Sequence, residues 1–238
     1  MQENPKPFKI GLLECDHVLD ELRYIAGDYR EMFPAFLPDF QFQFYDVING
    51  QFPASVEDCD AYICTGSRHS VYEEIDWILQ LKQFIREIYQ SNKKFVGVCF
   101  GHQLLAEALG GKVWKSEKGW CVGVHQFEVL SQKSWMQPSL KNYQILMMCQ
   151  DQVQILPPNA EILATSEACK IAMFQVGNNM LGIQGHPEFS KEYDQALMEL
   201  RVERVGKEKV IQGIESLKLP LDASVIAEWI SKFINMRK

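Results

Sequence analysis

Lys93-Lys94-Phe95-Val96-Gly97-Val98-Cys99-Phe100-Gly101-His102-Gln103-Leu104-Leu105 (KKFVGVCFGHQLL) changes its period partway along. Phe95 to Cys99 is a short apolar run of strand type. Gln103 to Leu109 has helical character and is closed by Gly110-Gly111. The join between them reads Gly97-x-Cys99-x-Gly101. A strand that turns sharply into a helix, with a nucleophilic residue on the turn, is a nucleophile elbow. Small residues two positions to either side permit the tight backbone, and the side chain stands at the carboxyl edge of the sheet, where open α/β sheets bind ligands. A helix start favours an anionic sulfur. It also leaves the Phe100 N–H without an intrahelical acceptor and free to donate to an oxyanion. The same glycines would equally suit a helix packed close to its strand, with Cys99 as buried filler.

Working outward, Lys9 to Leu13, Phe40 to Val47 and Asp60 to Thr65 read as strands, and Ile78, Leu81, Ile85 and Ile88 form one stripe of a helix over 75–89. Leu22, Ile25, Ala26, Tyr29 and Met32 predict a helix over 20–32, stopped by Pro34 and Pro38. The first half is therefore β-α-β-β-α-β-α, the signature of a largely parallel sheet between helix layers. Short strands follow over 112–114, 122–130, 143–148, 162–164, 171–176 and 180–184, the last two joined by Gly177-Asn178-Asn179 as a hairpin. Helices over 193–205 and 223–234 close the chain. The expectation is one α/β domain over 1–238, a mixed and largely parallel sheet flanked by helices, with a more antiparallel later section.

A formal net charge of -7 with no basic cluster beyond Lys93-Lys94 argues against nucleic acid as a partner. The N-terminus MQENPKPFKIGLLECD lacks the apolar core of a secretory signal, and no run is long enough to cross a membrane. The seven cysteines form no CxxC pair and are odd in number, which suits free thiols in a cytoplasmic setting.

A cysteine nucleophile needs a base, and five histidines are available. His17 suits a surface loop or, less well, a metal site, since it has no second histidine nearby. His69 lies in a polar loop, His102 projects away from the thiol, and His125 falls in a strand. His186 differs, because Gly185-His186-Pro187-Glu188 places a carboxylate two residues on, able to fix the imidazole tautomer and stabilise its cation. An ordinary solvated turn would have the same residue types.

Together, Gly97-x-Cys99-x-Gly101-His102-Gln103 and Gly185-His186-Pro187-Glu188 resemble the class I glutamine amidotransferase family over most of the chain. The resemblance implies a flavodoxin-like three-layer sandwich, with Cys99 as nucleophile, His186 as base and Glu188 as its orienter. It also implies oxyanion donors on the backbone of Phe100 and of Gly66 or Ser67, a loop from Ser67 to Tyr72 over the site, and Gln103 helping to hold substrate. No metal or organic cofactor is implied. Cys149-Gln150-Asp151-Gln152-Val153, Leu156-Pro157-Pro158 and Ala172-Met173-Phe174 look like the stand-alone branch that includes plant-type γ-glutamyl peptidases. Cys149 stands where many synthetase-linked members have histidine. The expected activity is hydrolysis of a γ-glutamyl amide, in glutamine or a γ-glutamyl peptide, through a thioester on Cys99. Two alternatives stand beside it: a glutaminase subunit that supplies ammonia to a separate synthetase partner, since the glutaminase-like fold uses up the 238 residues, and a silent binding protein of the same fold.

Overall fold

The computed structural model describes residues 8–236; the first residues of the N-terminus read above lie outside it. In chain order its elements are β1 Lys9–Glu14, α1 Arg23–Ala26, α2 Tyr29–Phe36, β2 Gln41–Asp46, β3 Ala61–Cys64, α3 Asp76–Gln90, β4 Lys94–Val98 and α4 Phe100–Ala108. There follow β5 Lys112–Lys115, β6 Cys121–Val129, β7 Asn142–Cys149, β8 Asp151–Ile155, β9 Ala160–Thr165, β10 Met173–Val176 and β11 Met180–Ile183, then α5 Lys191–Leu200, α6 Val202–Val205, α7 Lys207–Ser216 and α8 Ala223–Asn235.

Among the described residues, nine strands form one sheet in the order β2-β1-β3-β4-β11-β10-β9-β6-β7. The pairs from β2 through β11 are parallel, and those from β11 through β7 are antiparallel. This is the mixed sheet that the sequence predicts. Its two faces bury two cores. Phe95 of β4 packs with the α3 stripe Ile78, Leu81, Ile85 and Ile88 and with Leu104 and Leu105 of α4. Val96 and Val98, one pleat step away, pack with Met32 and Phe33 of α2 and with Trp229, Ile230 and Phe233 of α8. Alternate residues of β4 thus serve opposite cores, which is why the strand reads as continuously apolar.

Three expectations need correction. The predicted helix over 20–32 is a 3-10 turn, then α1, then α2. Gly27 at φ 75° ends the first part, and Asp28 starts the second with a capping box closed by Glu31. Pro34 does not stop growth but lies inside α2, which runs to Phe36; the carbonyl deprived of its N–H partner belongs to solvent-exposed Arg30. The helix over 193–205 is two segments, and α7 follows it unforeseen. Also unforeseen is β8, which pairs with β5 in a separate two-stranded ribbon.

The parallel strands β1, β3, β4 and β11 end along one edge. The residues just beyond those ends are Asp16, Gly66 with Ser67, Cys99, and His186.

Candidate active site

Cys99 lies between β4 and α4 with φ 52° and ψ -100°, a conformation that costs a residue with a Cβ about 1–3 kcal/mol. The surroundings hold it there. Its N–H donates to the Ile183 carbonyl (2.9 Å), and its own carbonyl accepts from the Gln103 N–H (3.1 Å). The flanking glycines are required by close approach. A Cβ on Gly97 would run into the Gly101 backbone, and one on Gly101 would lie 2.9 Å from the Cys64 Cβ. All seven cysteines are buried and unpaired; Cys99 is distinguished by backbone strain and by lining two cavities.

His186 is positioned by its N–H, which donates to the Leu146 carbonyl of β7 (2.8 Å). Its Nδ1 is 2.8 Å from Glu188 Oε1, and the ring stacks on Phe189 with centroids 4.0 Å apart. Both side chains are almost fully buried. Burial alone would push the imidazole pKa down. The Cys99 sulfur and the Glu188 carboxylate overcome this and push it up to about 10. The His186 imidazole is therefore protonated at neutral pH. Cys99 and His186 line the same small cavity.

The loop after β3 is tied down at several points. The Gly101 N–H donates to the Thr65 carbonyl (3.2 Å), and the Cys15 N–H donates to Thr65 Oγ1 (2.9 Å). Asp16 accepts from both the N–H and the Nε–H of Arg68, each at 2.8 Å. Among the described residues the amides of Gly66, Ser67 and Phe100 donate to no protein acceptor, and Ser67 lines both cavities with Cys99. The loop continues to Ser70 and Tyr72, whose hydroxyls donate to the Asp151 carboxylate at 2.5 and 3.3 Å.

Gln103, expected to hold substrate, lines the larger cavity but commits its amide nitrogen to the Asp151 carbonyl (2.7 Å) and to Gln184 Oε1 (3.2 Å). It therefore fixes the start of β8 at the cavity wall. Cys149 lines the same cavity, and burial raises its pKa well above the ordinary thiol value. His102 is buried against Phe174, and burial drives its pKa down to about 3, so it stays neutral. His17 bridges Asp28 (2.9 Å) and Asp46 (3.2 Å). His69 meets Glu73 at 3.0 Å, and His125 lies within hydrogen-bond reach of the Val122 carbonyl (3.2 Å). No group of three or more metal-ligating side chains converges among the described residues.

Two further residues escaped the sequence reading. Arg201, at the end of α5, lines both cavities and has no side-chain hydrogen bond or ion pair among the described residues. Burial lowers its pKa while the nearby Tyr29 and Tyr193 raise it. Asp194 of α5 is fully buried with neither carboxylate oxygen hydrogen-bonded to a side chain, and burial raises its pKa to about 7. An acid with a folded-state pKa above its unfolded value favours folding less as pH rises from about 4 to 7. Asp194→Asn is therefore expected to stabilise the protein more at pH 8 than at pH 4, by up to about 4 kcal/mol, measured by chemical denaturation at the two pH values.

The glutamine amidotransferase class-I family model matches residues 47–204. γ-Glutamyl peptidase 4 of Arabidopsis thaliana is 35% identical over 175 residues, covering 70% of this chain and 70% of its own. γ-Glutamyl peptidase 3 of the same plant is 30% identical over 203 residues, covering 80% of each. The crystal structure of a glutamine amidotransferase from Thermotoga maritima superposes with a TM-score of 0.78 at 20% identity, over 97% of this chain and all of that one. In the described residues no helix is long and apolar enough to cross a membrane. A strained cysteine on a strand-to-helix turn, a histidine backed by a carboxylate on the neighbouring strand end, and the matched span from 47 to 204 lead to one assignment: the chain belongs to the class I glutamine amidotransferase family.

Proposed function

We propose that this protein hydrolyses γ-glutamyl amides by covalent catalysis at Cys99. The Sγ attacks the γ-carbonyl carbon. The oxyanion that forms is held by the Phe100 amide together with that of Gly66 or Ser67. The C–N bond breaks as His186 gives its proton to the leaving nitrogen, and a γ-glutamyl thioester remains on Cys99. The now neutral His186 takes a proton from water, the hydroxide attacks the thioester, and glutamate leaves as the sulfur is restored. Glu188 keeps the imidazole in the tautomer that presents Nε2 to the sulfur and stabilises its cation.

The observation that carries this reading is the buried His186–Glu188 hydrogen bond of 2.8 Å, set against a cysteine whose sulfur helps keep the imidazole protonated. The γ-glutamyl peptidases among the relatives support the peptide as substrate over glutamine alone. The test is glutamate release by the purified protein from glutamine and from a γ-glutamyl dipeptide. Turnover of the dipeptide without a second protein supports a stand-alone hydrolase. Turnover of glutamine that appears only with a co-purifying synthetase would replace this reading with that of an ammonia-supplying subunit.

The charge on Glu188 sets one expected result. With the imidazole pKa near 10, the general acid is present through neutral pH and is lost only as pH rises through about 10. Glu188→Gln keeps a hydrogen-bonding side chain but removes the charge, so the imidazole pKa falls. The alkaline limb of the kcat/KM profile should then move to lower pH, as read from initial rates between pH 6 and 11.

Arg201 sets another. A half-buried cation lining both cavities with Cys99, and without a side-chain partner among the described residues, suits the α-carboxylate of the γ-glutamyl half. Removing one member of a desolvated charge pair costs about 2–5 kcal/mol. Arg201→Gln should raise KM for a γ-glutamyl dipeptide by at least about 30-fold with a smaller change in kcat, measured by steady-state kinetics.

A further inference from the structure

The two cavities that meet at Cys99 differ in chemistry and in size, about 120 Å³ and about 30 Å³. Gln150, Asp151 and Arg204 line the larger one only. His186, Tyr29 and Tyr193 line the smaller one only. In the reaction proposed above, on which this inference rests, the leaving nitrogen takes its proton from His186. The leaving half therefore starts in the smaller chamber, and the γ-glutamyl half occupies the larger.

The smaller chamber contributes two phenols. Tyr29 and Tyr193 are 7% and 3% exposed, and neither hydroxyl has a hydrogen-bond partner among the described residues. Tyr62, by contrast, has its hydroxyl committed to the carbonyls of Ser55 and Val56. Unlike the Tyr143 hydroxyl, neither the Tyr29 nor the Tyr193 hydroxyl is a fully buried atom left unpaired, so both keep accessible surface and are free to donate to a group that enters the chamber they line. Asp16, the nearest acidic wall of the chamber, is already engaged by Arg68 and by the His17 N–H. A Cβ placed on Gly66 would be 3.4 Å from the Tyr29 hydroxyl and 2.8 Å from His186 Cε1, so phenol and imidazole approach each other across that glycine. Phe189 fixes the arrangement. It stacks on His186, lies 6.5 Å from the Tyr29 ring, and meets Tyr193 edge-on at 4.6 Å.

Ammonia is a single heavy atom and has no acceptor to offer these hydroxyls beyond the departing nitrogen itself. An amino acid leaving group carries a carbonyl or carboxylate two bonds from that nitrogen. We propose that Tyr29 and Tyr193 form a leaving-group subsite whose hydroxyls donate to the carbonyl or carboxylate of the amino acid released, selecting γ-glutamyl peptides over glutamine. The smaller chamber, about 30 Å³ against about 120 Å³ for the larger, admits the atoms nearest the scissile bond. The rest of the leaving residue passes out over Leu19 and His17, both partly exposed. The subsite therefore reads the backbone of the leaving amino acid and tolerates variation in its side chain.

The test compares kcat/KM for γ-glutamylglycine and for glutamine in the wild type, Tyr29→Phe, Tyr193→Phe and the double variant. Phenylalanine keeps the ring packing, and a melting temperature close to that of the wild type verifies it. The expected result is a fall of about tenfold in the ratio of dipeptide to glutamine efficiency in Tyr29→Phe, and a further fall in the double variant. A ratio unchanged within about twofold in all three variants, with both substrates still turned over, overturns the subsite alone. Wild-type protein that releases glutamate from neither compound overturns the hydrolase reading, and the subsite with it.

Discussion

Cys99→Ala is expected to lower γ-glutamyl hydrolysis by at least about 10⁴-fold and to leave the melting temperature within a few degrees of the wild type. The rate falls because the proposed nucleophile is removed. What remains is the positioning supplied by the oxyanion amides and Arg201. The fold persists because the side chain removed is small, and the turn is held by backbone bonds to Ile183 and Gln103 that alanine keeps. Steady-state rates, thermal melts and labelling by an electrophilic glutamine analogue check this together. The wild type should carry one adduct, at Cys99, and the variant none. Full activity in Cys99→Ala would refute covalent catalysis at this residue. The φ of 52° adds a second readout: Cys99→Gly, also inactive, relieves the strain and should melt no lower than Cys99→Ala.

His186→Asn should come next in severity, with a loss of about 10³–10⁴-fold. Asparagine is preferred to alanine because Glu188 is buried; stripped of any partner, its carboxylate would cost stability and confuse the comparison. The two losses should not add. Cys99→Ala with His186→Asn should be no slower than Cys99→Ala alone, since the base has nothing to act on once the sulfur is gone. Because the imidazolium favours the reactive sulfur, the rate of analogue labelling at Cys99 should also fall in His186→Asn, while its final extent stays at one per chain. Undiminished turnover in this variant would move the base elsewhere.

How far these residues were legible depends on how far apart the interacting partners lie. The elbow is local: strand, glycine, cysteine, glycine and helix occur within a dozen residues, and the pattern carries its own geometry. His186 and Glu188 are local to each other, so their hydrogen bond was foreseeable; their approach to Cys99 through the β4–β11 pairing was an inference from resemblance. Gly27-Asp28-x-x-Glu31 did hold a readable helix start. It was masked because the apolar spacing of Leu22, Ile25, Tyr29 and Met32 continues in phase across the break. β8 escaped because only its pairing to β5 makes it a strand. Asp16 and Arg68 lie in different loops and carry no shared motif. Arg201 is one basic residue in a charged stretch, and only its place in the lining of both cavities, half-buried and with no side-chain partner among the described residues, sets it apart from an ordinary surface arginine.

The position of β11 has a consequence for biosynthesis. This strand joins the parallel half of the sheet to the antiparallel half, pairing with β4 on one side and β10 on the other. It is also the last strand among the described residues, and His186 follows three residues after its end. A nascent chain that has made everything up to β10 holds the elbow cysteine but neither its base nor the strand that closes the sheet. Such non-local pairing comes late in folding. On the proposed mechanism, hydrolytic competence therefore arrives only with the pairing of β11, and a truncated or half-folded product would carry the thiol without its base.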